Sequence, residues 1–140
     1  MNRPTWFPDT LRRIFFVLAT FLFAGNAQAE WIQLGRSDSF RVYLEQKSIR
    51  KTGDLVQIWQ LMDFTTAQWM DARTVVGSIK NLVEYDCSQP RSRTLVGEAY
   101  SEQMGDGRMV TKEQVPDPQW EGVEPGSITE KIRQVACGKK

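Results

Sequence analysis

Cys87 and Cys137 are the only thiols in this chain of 140 residues, which has no histidine. That combination narrows the chemistry at once. A nucleophilic cysteine needs a base beside it, usually a histidine. A zinc centre takes four ligands, mostly cysteine and histidine. Neither can be assembled here, and an even cysteine count in an exported chain points to a disulfide. The bridge would span 50 positions. Closing a loop of that length removes roughly 4 kcal/mol of unfolded-state entropy in the chain-entropy picture. A small domain has only about 5–15 kcal/mol of net stability, so the bridge would be a major part of it.

Asp63, Glu84, Asp86 and Glu98 are the carboxylates that could in principle pair for glycoside chemistry. Their spacing matches no motif, and no nucleophile–base pair or oxyanion feature accompanies them. No catalytic residue, metal ligand or cofactor site is therefore assigned. A small periplasmic carboxylate-dependent hydrolase is kept as the alternative reading, together with a structural accessory of an envelope complex. The remaining candidates concern binding. Trp69, in the stretch 68–71 (QWMD) after an expected strand end, reads as an exposed loop aromatic. Arg91 and Arg93, with Lys80 near them, form a small basic spot that would suit an acidic partner segment. Its ordinary reading is a solvated loop. Trp59 sits inside an apolar strand and reads as core.

These residues need a scaffold, and the chain announces one after a leader. Arg3, Arg12 and Arg13 precede an apolar run over 14–24 (IFFVLATFLFA), and Ala27-Gln28-Ala29 comes next. This is the layout of a secretory signal peptide cut after Ala29. The run is 11 residues long, whereas a spanning helix needs about 20. Arg12-Arg13 looks a little like a twin-arginine export signal, but the chain offers no cofactor ligands that would call for that route. No cysteine lies near the cleavage site, so lipid attachment is not expected. The expected division is 1–29 signal peptide and 30–140 a single domain. The destination is the periplasm, with the cell surface or secretion as the other outcomes. The domain carries a net charge of −1, which gives no reason to expect nucleic acid or an integral membrane contact.

Strand patterns dominate the domain. Residues 31–35 and 40–45 read as short strands, and 55–65 (LVQIWQLMDFT) as a strand covered on both faces. In 74–87, Val75, Gly77, Ile79, Val83, Tyr85 and Cys87 alternate onto one face, which places Cys87 inward. Next come a strand over 94–103, a tight connection at 105–107 and a return over 108–115. The period then changes. Ser127 and Glu130 form a capping box. Ile128, Ile132 and Val135 share a helical face, and Gly138 suits the stop. Cys137 falls off that face unless the last turn frays. The fold expected is α+β: an antiparallel meander of about six strands, with one C-terminal helix tethered to a sheet face by the disulfide.

Residue order adds a resemblance. Trp31, 45–49 (EQKSI), 56–64 (VQIWQLMDF), 84–87 (EYDC), Tyr100-Ser101, 105–107 (GDG), Trp120, 125–127 (PGS) and Cys137 together resemble the surface-adhesin protein E family of bacterial envelope proteins. The pieces span nearly all of the domain. The resemblance implies an antiparallel sheet with a C-terminal helix held by Cys87–Cys137. It also implies a protein partner, either an envelope component or a host extracellular protein. Self-association through a sheet edge is a further expectation.

Overall fold

The computed structural model describes residues 30–138, and the expected signal peptide lies outside them. Strands β1 (Trp31–Arg36), β2 (Phe40–Glu45), β3 (Arg50–Thr52), β4 (Leu55–Trp69), β5 (Val75–Asp86), β6 (Arg91–Tyr100), β7 (Met109–Gln114) and β8 (Glu121–Gly122) precede helix α1 (Ile128–Cys137). The sheet runs β1-β2-β4-β5-β6-β7, with β3 paired to β4 and β8 paired to β6. Every pairing is antiparallel. The six-strand path is the expected meander, and β3 and β8 are short additions to it.

Alternation sorts the residues onto two faces. Val42 and Leu44 of β2, Val56 and Ile58 of β4, and Val83 and Tyr85 of β5 form one buried face against Ile132 and Ala136 of α1. Tyr85 carries its hydroxyl into this layer and donates it to Gln60 Oε1 at 2.9 Å. Burial pushes its phenol well above the ordinary value. The buried hydroxyl therefore stays neutral and partnered, as a polar group in a core must.

The helix starts as its sequence directs. Ser127 Oγ accepts the Glu130 N–H at 3.1 Å, while the Glu130 carboxylate reaches back one residue further than expected, to Gly126 N. At the other end Gly138 takes a left-handed φ of 74°, which glycine adopts without steric cost. Lys51 Nζ donates to the Cys137 carbonyl at 3.1 Å, placing a cation at the negative end of the helix.

The buried stripe differs from expectation. It consists of Ile128, Ile132 and Ala136, whereas Val135 is 38% exposed. The Cys87–Cys137 bridge, with its Cα atoms 5.7 Å apart, explains the rotation. Pulling Cys137 onto β5 brings its neighbour Ala136 under the helix and turns Val135 out. Cys137 does this as the last residue of α1, without fraying. Arg133 is buried beside the bridge. Its guanidinium donates to the carbonyls of Asp86 at 2.8 Å and Cys87 at 3.2 Å. The helix is thus joined to the end of β5 covalently and by hydrogen bonds.

Replacing both cysteines with serine should lower the unfolding free energy by up to about 4 kcal/mol. Urea denaturation of the oxidised parent and the double variant measures it, and coincident curves would refute a stabilising bridge. Ile132→Ala should cost about 2–5 kcal/mol by the same measurement, as large-to-small core changes do.

Candidate functional site

The sheet face away from the helix carries most of the charged and aromatic residues singled out in the sequence. Cross-strand register lines up Asp86 with Arg91, Glu84 with Arg93 and Lys80 with Glu98. Directly opposed residues of opposite charge are the favourable pairing on such a face. Asp86 is buried, and its Oδ1 accepts from Ser88 Oγ at 2.6 Å, Ser88 N at 2.8 Å and Gln89 N at 3.1 Å. Its Oδ2 accepts from Arg91 Nε at 2.9 Å. The Ser88 hydroxyl is the main cause holding the carboxyl down to about 2, with Arg91 and the Ser88 and Gln89 amides helping it against burial. Glu84, also buried, takes hydrogen bonds from Gln57 at 2.9 Å and Arg93 Nε at 2.8 Å. Both guanidinium groups stack on the Trp120 ring, 4.6 and 4.3 Å from its centroid.

Arg91 and Arg93 therefore stand in β6 rather than in a loop, and each is already paired. Lys80 is not part of their cluster. It lies on the same face with Trp31 and Tyr100, its ammonium 5.7 and 4.7 Å from their ring centroids. The expected basic spot is thus two separate cation–aromatic groups.

The other two carboxylates are also engaged. Glu98 accepts from Tyr100 at 2.8 Å and pairs with Lys112 at 2.8 Å. Burial works against its charge, but the Lys112 and Tyr100 hydrogen bonds and the nearby lysines hold it below the ordinary value. Tyr100 is correspondingly pushed up to about 12, by desolvation first and then by Glu98. Asp63, buried, accepts the Met104 amide at 2.6 Å. Met104 has φ 58°, a left-handed conformation uncommon for such a residue. Asp63 fixes it over the sheet, while Ser78 Oγ donates to the Glu102 carbonyl and accepts from Gly105 N. All four carboxylates thus serve the sheet face as acceptors. No group of three metal-ligating side chains occurs among the described residues.

A second region is built by connections. The β1–β2 turn, the β4–β5 hairpin and the β6–β7 connection all fall at the end of the sheet opposite the disulfide. Here β4 runs on past its expected end. Register slips between Asp63 and Gln68, then resumes with Gln68 opposite Val76 and Trp69 opposite Val75. The extra residues of a bulge re-aim the strand beyond it. Trp69 is therefore a strand residue, not a loop residue, yet it is 70% exposed, and Met70 beside it is 53% exposed. At the hairpin base lies a groove of about 620 Å³ bounded by Thr65, Ala67, Gly77 and residues of the 101–106 connection. Arg36 and Arg41, directly opposed in register, line a neighbouring hollow with Ser37, Asp38 and Thr65.

Sequence reasoning marks Trp69 as exposed, which it is, but misses Trp120, Lys112 and Tyr100 as partners of the singled-out charges. The i,i+2 spacing of Glu98 and Tyr100 was the one local signal; the others meet only through register. The Asp86 pairing should make the fold acid-sensitive. A depressed native carboxyl contributes stability above its ordinary value of 3.8 and loses it as pH falls towards about 2. Melting of the parent and Asp86→Asn from pH 7 to pH 2 should show a gap that closes across that window. A gap independent of pH would contradict the assignment.

Comparison with known proteins places this geometry. No curated protein sequence matches the chain. Solved structures of protein E from Haemophilus influenzae share its fold. One crystal form aligns with TM-score 0.55 and 11% identity, covering 76% of this chain and 96% of that one. Another structure of the protein gives 0.55 and 11%, covering 77% and 93%. The protein from a non-typeable strain gives 0.54 and 11%, covering 78% and 84%. At such identity the likeness is one of fold. The sequence model of the surface-adhesin protein E family matches residues 31–138, and the chain therefore belongs to that family.

Proposed function

We propose that this chain is an exported, non-enzymatic protein-binding module of the bacterial envelope, adhesin-like, that holds its partner with the loop end of the sheet. The observation that carries this reading is the adjacent exposure of Trp69 and Met70 on a projecting hairpin. Large apolar side chains held in water by a rigid strand pair are the usual anchors of protein interfaces. The groove at the hairpin base and the Arg36–Arg41 pair supply a polar surround. Placement at the tip of a hairpin, beside the connections of the sheet, fits a binding role. Engagement of Asp63, Glu84, Asp86 and Glu98 in structural pairs speaks against the hydrolase alternative.

The partner is a protein of the envelope or of the host's extracellular surface. β1 and β7 are the open edges of the six-strand path, but Lys112 and Glu113 on β7 blunt strand addition. The hairpin is therefore assigned before the edges, including for self-association.

Protease shaving of intact cells, with a periplasmic marker as control, decides which partner class to offer. Cleavage of a tag while the marker survives directs the search to host extracellular proteins; survival of the tag directs it to envelope components. Trp69→Ala/Met70→Ser should then reduce retention of the identified partner at least tenfold while leaving the melting temperature unchanged, because both side chains are exposed. Full retention by that double variant would remove the hairpin from the interface.

A further inference from the structure

Above the middle of the charged face is a pocket of about 160 Å³, lined by Trp31, Glu45, Trp59, Lys80 and Glu98. Its residues come from five strands, β1, β2, β4, β5 and β6. It is separate from the loop end, and nothing in the partner-binding reading uses it. Glu98 is occupied by Lys112 and Tyr100. The rest of the lining is not. Among the described residues, the Glu45 carboxylate has no hydrogen-bond or ion-pair partner. The Lys80 ammonium lies against the rings of Trp31 and Tyr100 and near the already paired Glu98, with no hydrogen bond or ion pair of its own among the described residues. The indole N–H groups of Trp31 and Trp59 are likewise without acceptors there. None of these atoms is buried and unsatisfied, so each remains accessible to water or to a ligand, and their residues line the pocket.

We infer that this pocket binds one unit of a neutral saccharide. Two indoles offer flat apolar faces to the C–H surface of a pyranose ring. A free acceptor, Glu45, and free donors, Lys80 and the indoles, offer hydrogen bonds to hydroxyls, which both donate and accept. The charges at the pocket balance, Lys80 and Lys112 against Glu45 and Glu98, so the pocket has no net demand for a charged ligand. Convergent polar groups on apolar walls are the ordinary make-up of a small-ligand site, and about 160 Å³ limits the occupant to a single ring.

Lys80 reaches the pocket past a turn. Its stem passes against Gly105, where a Cβ would come within 2.1 Å of Lys80 Cε. Gly105 has φ 75°, a left-handed conformation that disfavours any side chain there. The bare backbone at Gly105 thus leaves room for the Lys80 stem beside the pocket.

The test is a titration of the folded domain, residues 30–140, with glucose, galactose, mannose and N-acetylglucosamine and their short oligomers. Indole N–H resonances and tryptophan fluorescence report on it. At least one sugar should move the Trp31 and Trp59 signals saturably, and leave Trp69 still, with a Kd of about 1 mM or tighter. Glu45→Gln and Lys80→Met, which keep side-chain length, should each weaken that binding at least fivefold, with circular dichroism showing both variants folded. No saturable movement with any sugar overturns the proposal. Unchanged affinity in both variants does so too, as does a response to a zwitterionic amino acid such as glycine with none to sugars.

Discussion

One short helix has to cover the apolar face of a sheet that is six strands across. A ten-residue helix is about 15 Å long, enough to shield the centre of that face and no more. The sequence concentrates its largest buried side chains there, Leu44, Ile58 and Tyr85 among them. A helix this short would not hold itself in water. Its position is imposed by the bridge at Cys137, the Arg133 hydrogen bonds to the end of β5, and the packing of Ile132. Fixing that end of the helix also fixes which residues turn outward, as Val135 shows.

With the helix committed to one face, no α-helix among the described residues covers the other. The sheet answers with paired charges and aromatic lids: Trp120 over two arginines, and the 103–105 turn over Asp63 and Ser78. This dressing is demanding to build, since each buried carboxylate needs several donors. It is also what makes the face polar enough to remain in water while still presenting rings.

The scaffold was largely legible because its signals are local. Alternation over 74–87 put Cys87 inward, the change of period marked α1, and Ser127 announced its start. What could not be read depends on register and on long-range packing. The slip between Asp63 and Gln68 extends β4 and converts an expected loop tryptophan into a strand-borne one. Arg91 and Arg93 became strand residues because Asp86 and Glu84 face them. The convergence of Trp31, Glu45, Trp59 and Lys80 was invisible for the same reason, since these residues meet through four strands and no sequence motif joins them. Trp69 was legible because an apolar residue among polar neighbours stands out by itself.

The bridge joins positions 50 residues apart and uses the only two cysteines of the chain. As the polypeptide emerges amino-terminus first, Cys87 appears with the strands it belongs to, well before its partner. Within one molecule no wrong pairing is available. Oxidation thus needs an electron acceptor but no reshuffling, and the one bond that can form within the molecule is the native one.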